Sequence, residues 1–105
     1  GKGTTESLRK MDEATFLAVF EGVPVFEVSK SLLYEGVSLS DLCAVHSQVF
    51  PSKGELRRLV QGGGVSINKE KVALPDTIIN PQHLLNGKYI LVQKGKKNYS
   101  LIKAV

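Results

Sequence analysis

The strongest hydrophobic pattern in the chain lies within residues 52–64. Leu56, Leu59 and Val60 recur at the i, i+3, i+4 spacing that places apolar side chains on one face of an α-helix. The pattern predicts a short helix with one narrow apolar face, which must pack against a core. Three glycines at 62–64 come next, and they permit the chain to end the helix and to reverse direction.

Helix starts are predicted by side chains that can accept hydrogen bonds from free backbone N–H groups. Ser52 and Glu55 have the spacing of a capping box, so the helix is predicted to begin at Lys53. Ser38 and Asp41 repeat that spacing and predict another helix directly after them. The residues that recur there at helical intervals are Leu39, Leu42, Cys43 and His46.

Residues 1–36 predict further helices and an extended segment. Asp12 is a suitable N-cap for a helix that ends near Gly22. The predicted apolar flank of this helix consists of Phe16, Leu17, Val19 and Phe20. Residues 23–28 are predicted to be extended, because proline biases its preceding residue away from helix, and 29–36 form a second short helix. We interpret this stretch as a connector with a packing role.

Alternating apolar and polar residues predict strands in the second half. Residues 65–72 alternate on either side of a polar, lysine-rich turn, which predicts a β-hairpin. Residues 88–94 and 99–105 predict a second hairpin, again with lysines at its turn. Asn80 and Pro81 suit the cap and the first position of a short helical turn between the two hairpins. Together these elements predict an α+β fold.

The composition is that of a globular domain whose charge is segregated along the chain. Of the 105 residues, 42% are hydrophobic, and the net charge is +4. Residues 1–50 carry four basic and seven acidic groups, whereas residues 51–105 carry ten basic and three acidic groups. A strongly cationic half favours a polyanionic partner such as nucleic acid. A solubilising surface and a docking surface for an acidic protein are the alternatives that charge leaves open.

The chain offers no membrane or disulfide pattern. No segment approaches the roughly 20 apolar residues that a membrane span needs. The single cysteine, Cys43, excludes an internal disulfide framework, favours a reducing compartment and is predicted to be a small core residue. Because the chain opens at Gly1 in the middle of a polar segment, we expect it to be a domain of a longer protein.

Catalytic patterns are also missing from the sequence. A P-loop needs G-x-x-x-x-G-K-[ST] before a helix, whereas the glycines at 62–64 follow one. His46 and His83 lack metal-ligand spacing, so His46 is predicted to pack on its helix and His83 to lie solvated in a turn. Tyr89 and Tyr99 are candidates for base stacking or for half-buried positions in a sheet. The chain by itself is interpreted as non-catalytic.

Three segments carry a resemblance to a known family. Residues 52–72, SKGELRRLVQGGGVSINKEKV, resemble the S4 RNA-binding motif through S-K-x-E-x-R-R followed by G-G-V-x-[IV]-N-x-x-K-V. Residues 88–102, KYILVQKGKKNYSLI, resemble the C-terminal strands of bacterial tyrosyl-tRNA synthetases. Residues 4–24, TTESLRKMDEATFLAVFEGVP, resemble the linker that precedes the S4-like domain in that family. The sequence departs from the S4 pattern at Gly54, where a polar residue is common, and in having a third glycine.

The resemblance implies the C-terminal part of a bacterial-type tyrosyl-tRNA synthetase. It would comprise a helical linker at residues 1–36 and an S4-like RNA-binding domain at 37–105, in which two short helices pack beside a small, mostly antiparallel sheet. The parent enzyme would be a cytoplasmic homodimer that activates tyrosine with ATP and attaches it to its tRNA. The fragment itself is expected to be a monomer that needs no cofactor and holds no catalytic residue.

The resemblance also implies an RNA-binding surface. Cations of the second helix and of the two hairpins would contact phosphates of tyrosine tRNA, on its anticodon side and its long variable arm. The predicted RNA-binding residues are Ser52, Lys53, Arg57, Arg58, Lys69, Lys71, Lys94, Lys96, Lys97 and Asn98. We expect the glycines to fold the helix and the first hairpin toward each other. An S4 domain of another RNA-modifying or ribosome-associated protein is the alternative parent, and a protein-docking module is the alternative function.

Overall fold

The computed structural model describes residues 5–95 and 98–105 and confirms an α+β fold. The described α-helices are α1 (Thr5–Lys10), α2 (Glu13–Val19), α3 (Lys30–Glu35), α4 (Leu39–Ala44) and α5 (Lys53–Gln61), with a 3₁₀ turn at Pro81–His83. The described strands are β1 (Val25–Val28), β2 (Val37–Ser38), β3 (Val65–Ile67), β4 (Glu70–Lys71), β5 (Ile78–Ile79), β6 (Tyr89–Lys94) and β7 (Asn98–Ala104).

Five of the described strands form one mixed sheet in the order β1-β7-β6-β3-β4. Both predicted hairpins are confirmed: β3 pairs with β4, and β6 pairs with β7, each in antiparallel register. β3 also pairs with β6, which joins the hairpins. β1 pairs with β7 in parallel and forms one edge, while β2 and β5 make a separate short ladder. This mostly antiparallel sheet with packed short helices is consistent with the S4-like fold.

The predicted helix caps are confirmed, because each depends on residues close together in sequence. The Ser52 hydroxyl accepts a hydrogen bond from the Glu55 amide at 3.2 Å, and α5 begins at Lys53. The Asp12 carboxylate accepts one from the Thr15 amide at 2.9 Å. Hydrogen bonds from the Thr15 side chain and then from its backbone amide lower the pKa of Asp12 below its usual value. Ser38 caps α4 in the same way. The starts of α2, α4 and α5 were therefore predictable from the local spacing of residues.

The helix after Ser38 is shorter than predicted. α4 ends at Ala44, where the amides of Val45 and His46 both donate to the Asp41 carbonyl. The Ser47 hydroxyl then donates to the Leu42 carbonyl at 2.7 Å. The prediction that His46 packs on its helix is therefore wrong, because this residue lies beyond the helix end and is exposed.

Two cores lie on opposite faces of the sheet. The first core, beneath α4 and α5, includes Leu39, Leu42, Leu56, Val60, Val65, Ile67, Ile90, Val92 and Ile102. The second core consists of Leu8, Phe16, Leu85, Tyr89, Leu91 and Leu101. Successive residues of a strand point to opposite faces, so Tyr89–Val92 alternate between the two cores. The expected polar alternation in β6 is therefore wrong for these four positions, which are all buried.

Within the N-terminal segment, residues 1–36, helices α1 and α2 cover the second face of the sheet, whereas Val28 and Leu33 lie in the first core. Phe16 of α2 is fully buried, with its ring centroid 5.5 Å from that of Tyr89. Leu17 and Val19 are exposed, so the predicted apolar flank of this helix is narrower than expected. The segment thus packs on the same sheet that β1 joins, and the division into 1–36 and 37–105 stays a prediction. No helix of the described residues is long and apolar enough to span a membrane.

Candidate nucleic-acid interface

Helix α5 presents two exposed arginines on a rigid support. Leu56 and Val60 are buried in the first core and Leu59 is partly buried, which confirms the predicted apolar face. Arg57 and Arg58 are exposed on the remaining surface. Because the apolar face fixes the rotation of the helix, both guanidinium groups are directed to solvent at defined positions.

Lys53, at the start of α5, is tied to the neighbouring helix. Its ammonium lies 2.7 Å from a carboxylate oxygen of Asp41 in α4. The hydrogen bond from Lys53 lowers the pKa of Asp41 below its usual value. This contact joins the two helices, and it leaves Lys53 less available to an external phosphate than Arg57 or Arg58.

The glycines after α5 allow a tight approach of helix and hairpin. Gly63 has a φ of 75°, in the left-handed region that favours glycine. A Cβ at Gly64 would lie 2.7 Å from Leu59 Cδ1, so this third glycine permits close packing. A Cβ at Gly63 would lie 3.5 Å from Lys71 Nζ. The turn therefore brings Lys71 to the end of α5, where the helix dipole favours a cation.

The other lysine of this hairpin points elsewhere. Lys69 Nζ donates a hydrogen bond to the Tyr99 hydroxyl at 2.7 Å and lies 4.5 Å from its ring centroid. Tyr99 in turn packs against the second core, beside Phe20. The turn therefore brings Lys71, and not Lys69, to the end of α5, because the Lys69 side chain is held by Tyr99; a role of Lys69 in RNA binding stays a prediction.

Lys94 also has internal partners. Its ammonium donates to the Val49 carbonyl at 2.7 Å and lies 5.3 Å from the Phe50 ring centroid. Lys94 therefore anchors the segment that leads into α5. The adjacent predicted residues Lys96 and Lys97 lie outside the described residues.

A groove of about 640 Å³ lies between α5 and the strand ends of the second hairpin. Of the predicted residues, it brings together Arg58, Lys94 and Asn98; Ser52, at the cap of α5, is exposed. The remaining lining residues were not predicted: they are Phe50, Pro51, Glu55, Leu59 and Gly95. We call this site the α5 groove. Glu55 and Leu59 were assigned only to helix capping and packing, and nothing local marks them as lining a groove.

The other chemical candidates have structural roles. Cys43 is buried, which confirms it as a core residue, and burial raises the pKa of its thiol to about 12. His83 is half-buried rather than solvated: its Nδ1 accepts a hydrogen bond from the Asn80 amide, within the predicted cap. No group of three or more His, Cys, Asp or Glu side chains within residues 5–95 and 98–105 could hold a metal ion.

Known proteins resemble this chain along nearly its whole length. The family described as tyrosine-tRNA ligase SYY-like C-terminal domain matches residues 15–102. A tyrosine-tRNA ligase of Bacteroides thetaiotaomicron is 61% identical over 104 residues, and one of Bacteroides fragilis is 59% identical over 104. In both cases the match covers 99% of this chain and 24% of the relative.

A more distant tyrosine-tRNA ligase, from Flavobacterium johnsoniae, is 38% identical over 105 residues, which is 100% of this chain and 24% of the relative. The chain thus spans about a quarter of the length of the curated relatives it matches. The family match begins within α2, includes α5 and β6, and ends within β7. The chain therefore belongs to the family of tyrosine-tRNA ligase C-terminal domains.

Proposed function

We propose that this chain is the RNA-docking domain of a tyrosine-tRNA ligase. The observation that carries the proposal is the pair of exposed arginines, Arg57 and Arg58, on a helix whose rotation is fixed by buried Leu56 and Val60. Phosphate contacts position RNA-binding proteins, and guanidinium groups suit phosphates in geometry and charge. The ten basic groups of residues 51–105 supply a favourable field around them.

In this proposal the ligand is tyrosine tRNA, bound on its anticodon side and its long variable arm through backbone shape and charge. The parent ligase attaches tyrosine to that tRNA with ATP, as a cytoplasmic homodimer, and its catalytic residues lie outside this chain. The chain's own task is to orient the tRNA. The family membership supports this assignment, because the related proteins are named tyrosine-tRNA ligases.

A salt titration of tRNA binding tests the proposal. Arg57→Ala and Arg58→Ala should each weaken binding and reduce the slope of log K against log salt by roughly one unit, because one phosphate contact is lost. Filter binding with tyrosine tRNA measures the slope. Arg9→Ala is the matched control, since Arg9 donates to the Gln82 carbonyl at 2.7 Å and lies in the N-terminal segment. It should leave the slope unchanged.

Two outcomes would contradict the proposal. If the slope of log K against log salt is unchanged in both α5 variants, Arg57 and Arg58 do not contact the RNA. Equal competition by polyglutamate and by tRNA would instead favour a surface for acidic proteins, since a charge-only surface does not distinguish two polyanions by shape.

A further inference from the structure

The α5 groove has a chemical character that phosphate binding alone does not explain. Arg58 is cationic, but Glu55 lines the same groove and carries a negative charge. The two residues are three positions apart on α5, so they are neighbours on the helix surface, yet no ion pair joins them in the described structure. A carboxylate repels phosphate. A ligand for this groove must therefore offer both an anionic group and N–H donors.

The groove also contains apolar surface. Pro51 and Leu59 line it, and the buried Phe50 ring lies beneath the Lys94 ammonium. Flat apolar surface next to polar groups suits a nucleobase, whose faces are apolar and whose edge carries donors and acceptors. The volume of about 640 Å³ lies within the roughly 300–1,000 Å³ of pockets that hold small organic molecules.

The polar groups of the groove differ in their capacity to form hydrogen bonds with a ligand. The Lys94 ammonium is already bonded to the Val49 carbonyl, so it contributes positive potential more than a hydrogen bond. Arg58 and Asn98 are exposed and can turn their donors toward a ligand. The Glu55 carboxylate is also exposed, and its place in the first turn of α5 is compatible with accepting a bond from outside.

We infer that the α5 groove binds one unpaired nucleotide of the RNA. Arg58 binds its phosphate, the base lies over Pro51 and Leu59, and Glu55 accepts a hydrogen bond from an N–H on the base edge, with Asn98 as a second polar partner. The nucleotide must be unpaired, because pairing occupies that edge and stacking covers the faces. This inference rests on the proposed RNA-docking function and adds base contact to phosphate contact.

Two hairpin RNAs with the same stem test the inference, one fully paired and one with a single bulged nucleotide. Fluorescence anisotropy with this chain measures both dissociation constants, with each of the four bases at the bulge. We expect the bulged RNA with the preferred base to bind about tenfold more tightly than the paired RNA. Glu55→Gln should reduce that ratio about fivefold, because a charged acceptor becomes neutral.

Glu70→Gln is the matched control, since Glu70 is an exposed glutamate of the same basic half on β4. It removes the same charge outside the α5 groove and should leave the ratio unchanged. Asn98→Ala is a second variant that should lower the ratio. Neither change affects a buried group, so both proteins should melt like the unmodified chain.

The outcomes separate this inference from the function on which it rests. If the chain binds the paired and the bulged hairpin RNA with equal, salt-dependent affinity, the nucleotide site is overturned and RNA docking stays intact. A preference for the bulge that survives both Glu55→Gln and Asn98→Ala would place base contact elsewhere and also overturn it. Failure of both hairpins and of tyrosine tRNA to bind would overturn RNA docking itself.

Discussion

The two faces of the main sheet are covered by helices from different parts of the chain. The first face is covered by α4 and α5, and its outer surface holds the exposed arginines and the α5 groove. The second is covered by α1 and α2, whose two acidic residues, Glu6 and Glu13, are balanced by Arg9 and Lys10. One set of strands thus supports two helical layers, and adjacent exposed arginines lie only on the first of them among the described residues. The comparison shows that α1 and α2 complete the burial of the sheet, as α4 and α5 do on the other face.

An ion pair fastens each layer, but in different ways. On the first face, Lys53 and Asp41 join two helices that both pack in the first core. On the second face, the ammonium of Lys88, directly before β6, lies 3.2 Å from a carboxylate oxygen of Glu13 in α2, and the Tyr89 hydroxyl donates to the same carboxylate. The first pair therefore stabilises contact within a layer, whereas the second attaches the layer to the sheet.

The largest expected effect comes from a deletion in the first core. Leu56→Ala should lower the free energy of unfolding by about 2–5 kcal/mol, because it leaves a cavity under α5 at a fully buried site. Chemical denaturation followed by circular dichroism measures this change. Cys43, the single cysteine, provides a second measurement, since it is buried in the first core and should react with thiol reagents much faster in the variant. A denaturation curve and a thiol rate that match the unmodified chain would contradict the assignment of α5 to this core.

The same deletion on the second face should have a smaller effect. Leu8→Ala removes an equally apolar side chain that is 2% exposed, and we expect a loss of about 2 kcal/mol, at the low end for such changes. Helices that cover one face of a sheet can detach locally without unfolding the sheet. Amide exchange should therefore increase in α1 and α2, while Cys43 remains protected. Rapid labelling of Cys43 in this variant would show that the two layers unfold as one unit.

A stabilising change is expected at Gly54 in α5. Gly54→Ala should raise the free energy of unfolding by up to about 1 kcal/mol, because alanine has the higher helix propensity. The added Cβ has room, with Ser52 Oγ at 3.9 Å as its nearest neighbour. Thermal denaturation measures the gain. Gly64→Ala is the contrasting control: its Cβ would collide with Leu59, so it should lower the melting temperature. A lower melting temperature for Gly54→Ala would count against the assigned helix start.

The smallest expected effect concerns acid stability of the second layer. Hydrogen bonds from Lys88 and then Tyr89 lower the pKa of Glu13 below its usual 4.5. Because the folded-state pKa is lowered, this stabilisation is present above about pH 4.5 and is lost as pH falls through the lowered value. Glu13→Gln should therefore flatten the acid limb of melting temperature against pH. Glu6→Gln, which removes an exposed surface pair with Lys10, should leave the acid limb unchanged. Equal curves for Glu13→Gln and the unmodified chain would show that the Glu13 contacts do not contribute to acid stability.

Local features were predictable from the sequence, and contacts between distant residues were not. Ser52 fixed the start of α5 because its cap partner is three residues away. The burial of Tyr89–Val92 on both faces depends on α1 and α2, which lie far away in sequence, so alternation alone could not predict it. Lys69 and Lys94 were predicted to bind RNA because they lie near the turns of the two β-hairpins. Their bonds to Tyr99 and Val49 depend on the tertiary fold, which no spacing of lysines encodes.

The parallel pairing of β1 with β7 has a consequence for how the domain is made. Val25–Val28 pair with Leu101–Ala104, so nearly all of the described chain must be synthesised before this ladder can form. Leu101 also completes the second core, and Ile102 the first. On the ribosome, the apolar side chains of α1 and α2 therefore lack part of the second core until β7 has been synthesised. Such pairing between distant segments slows folding, so both cores are completed only after β7 is available.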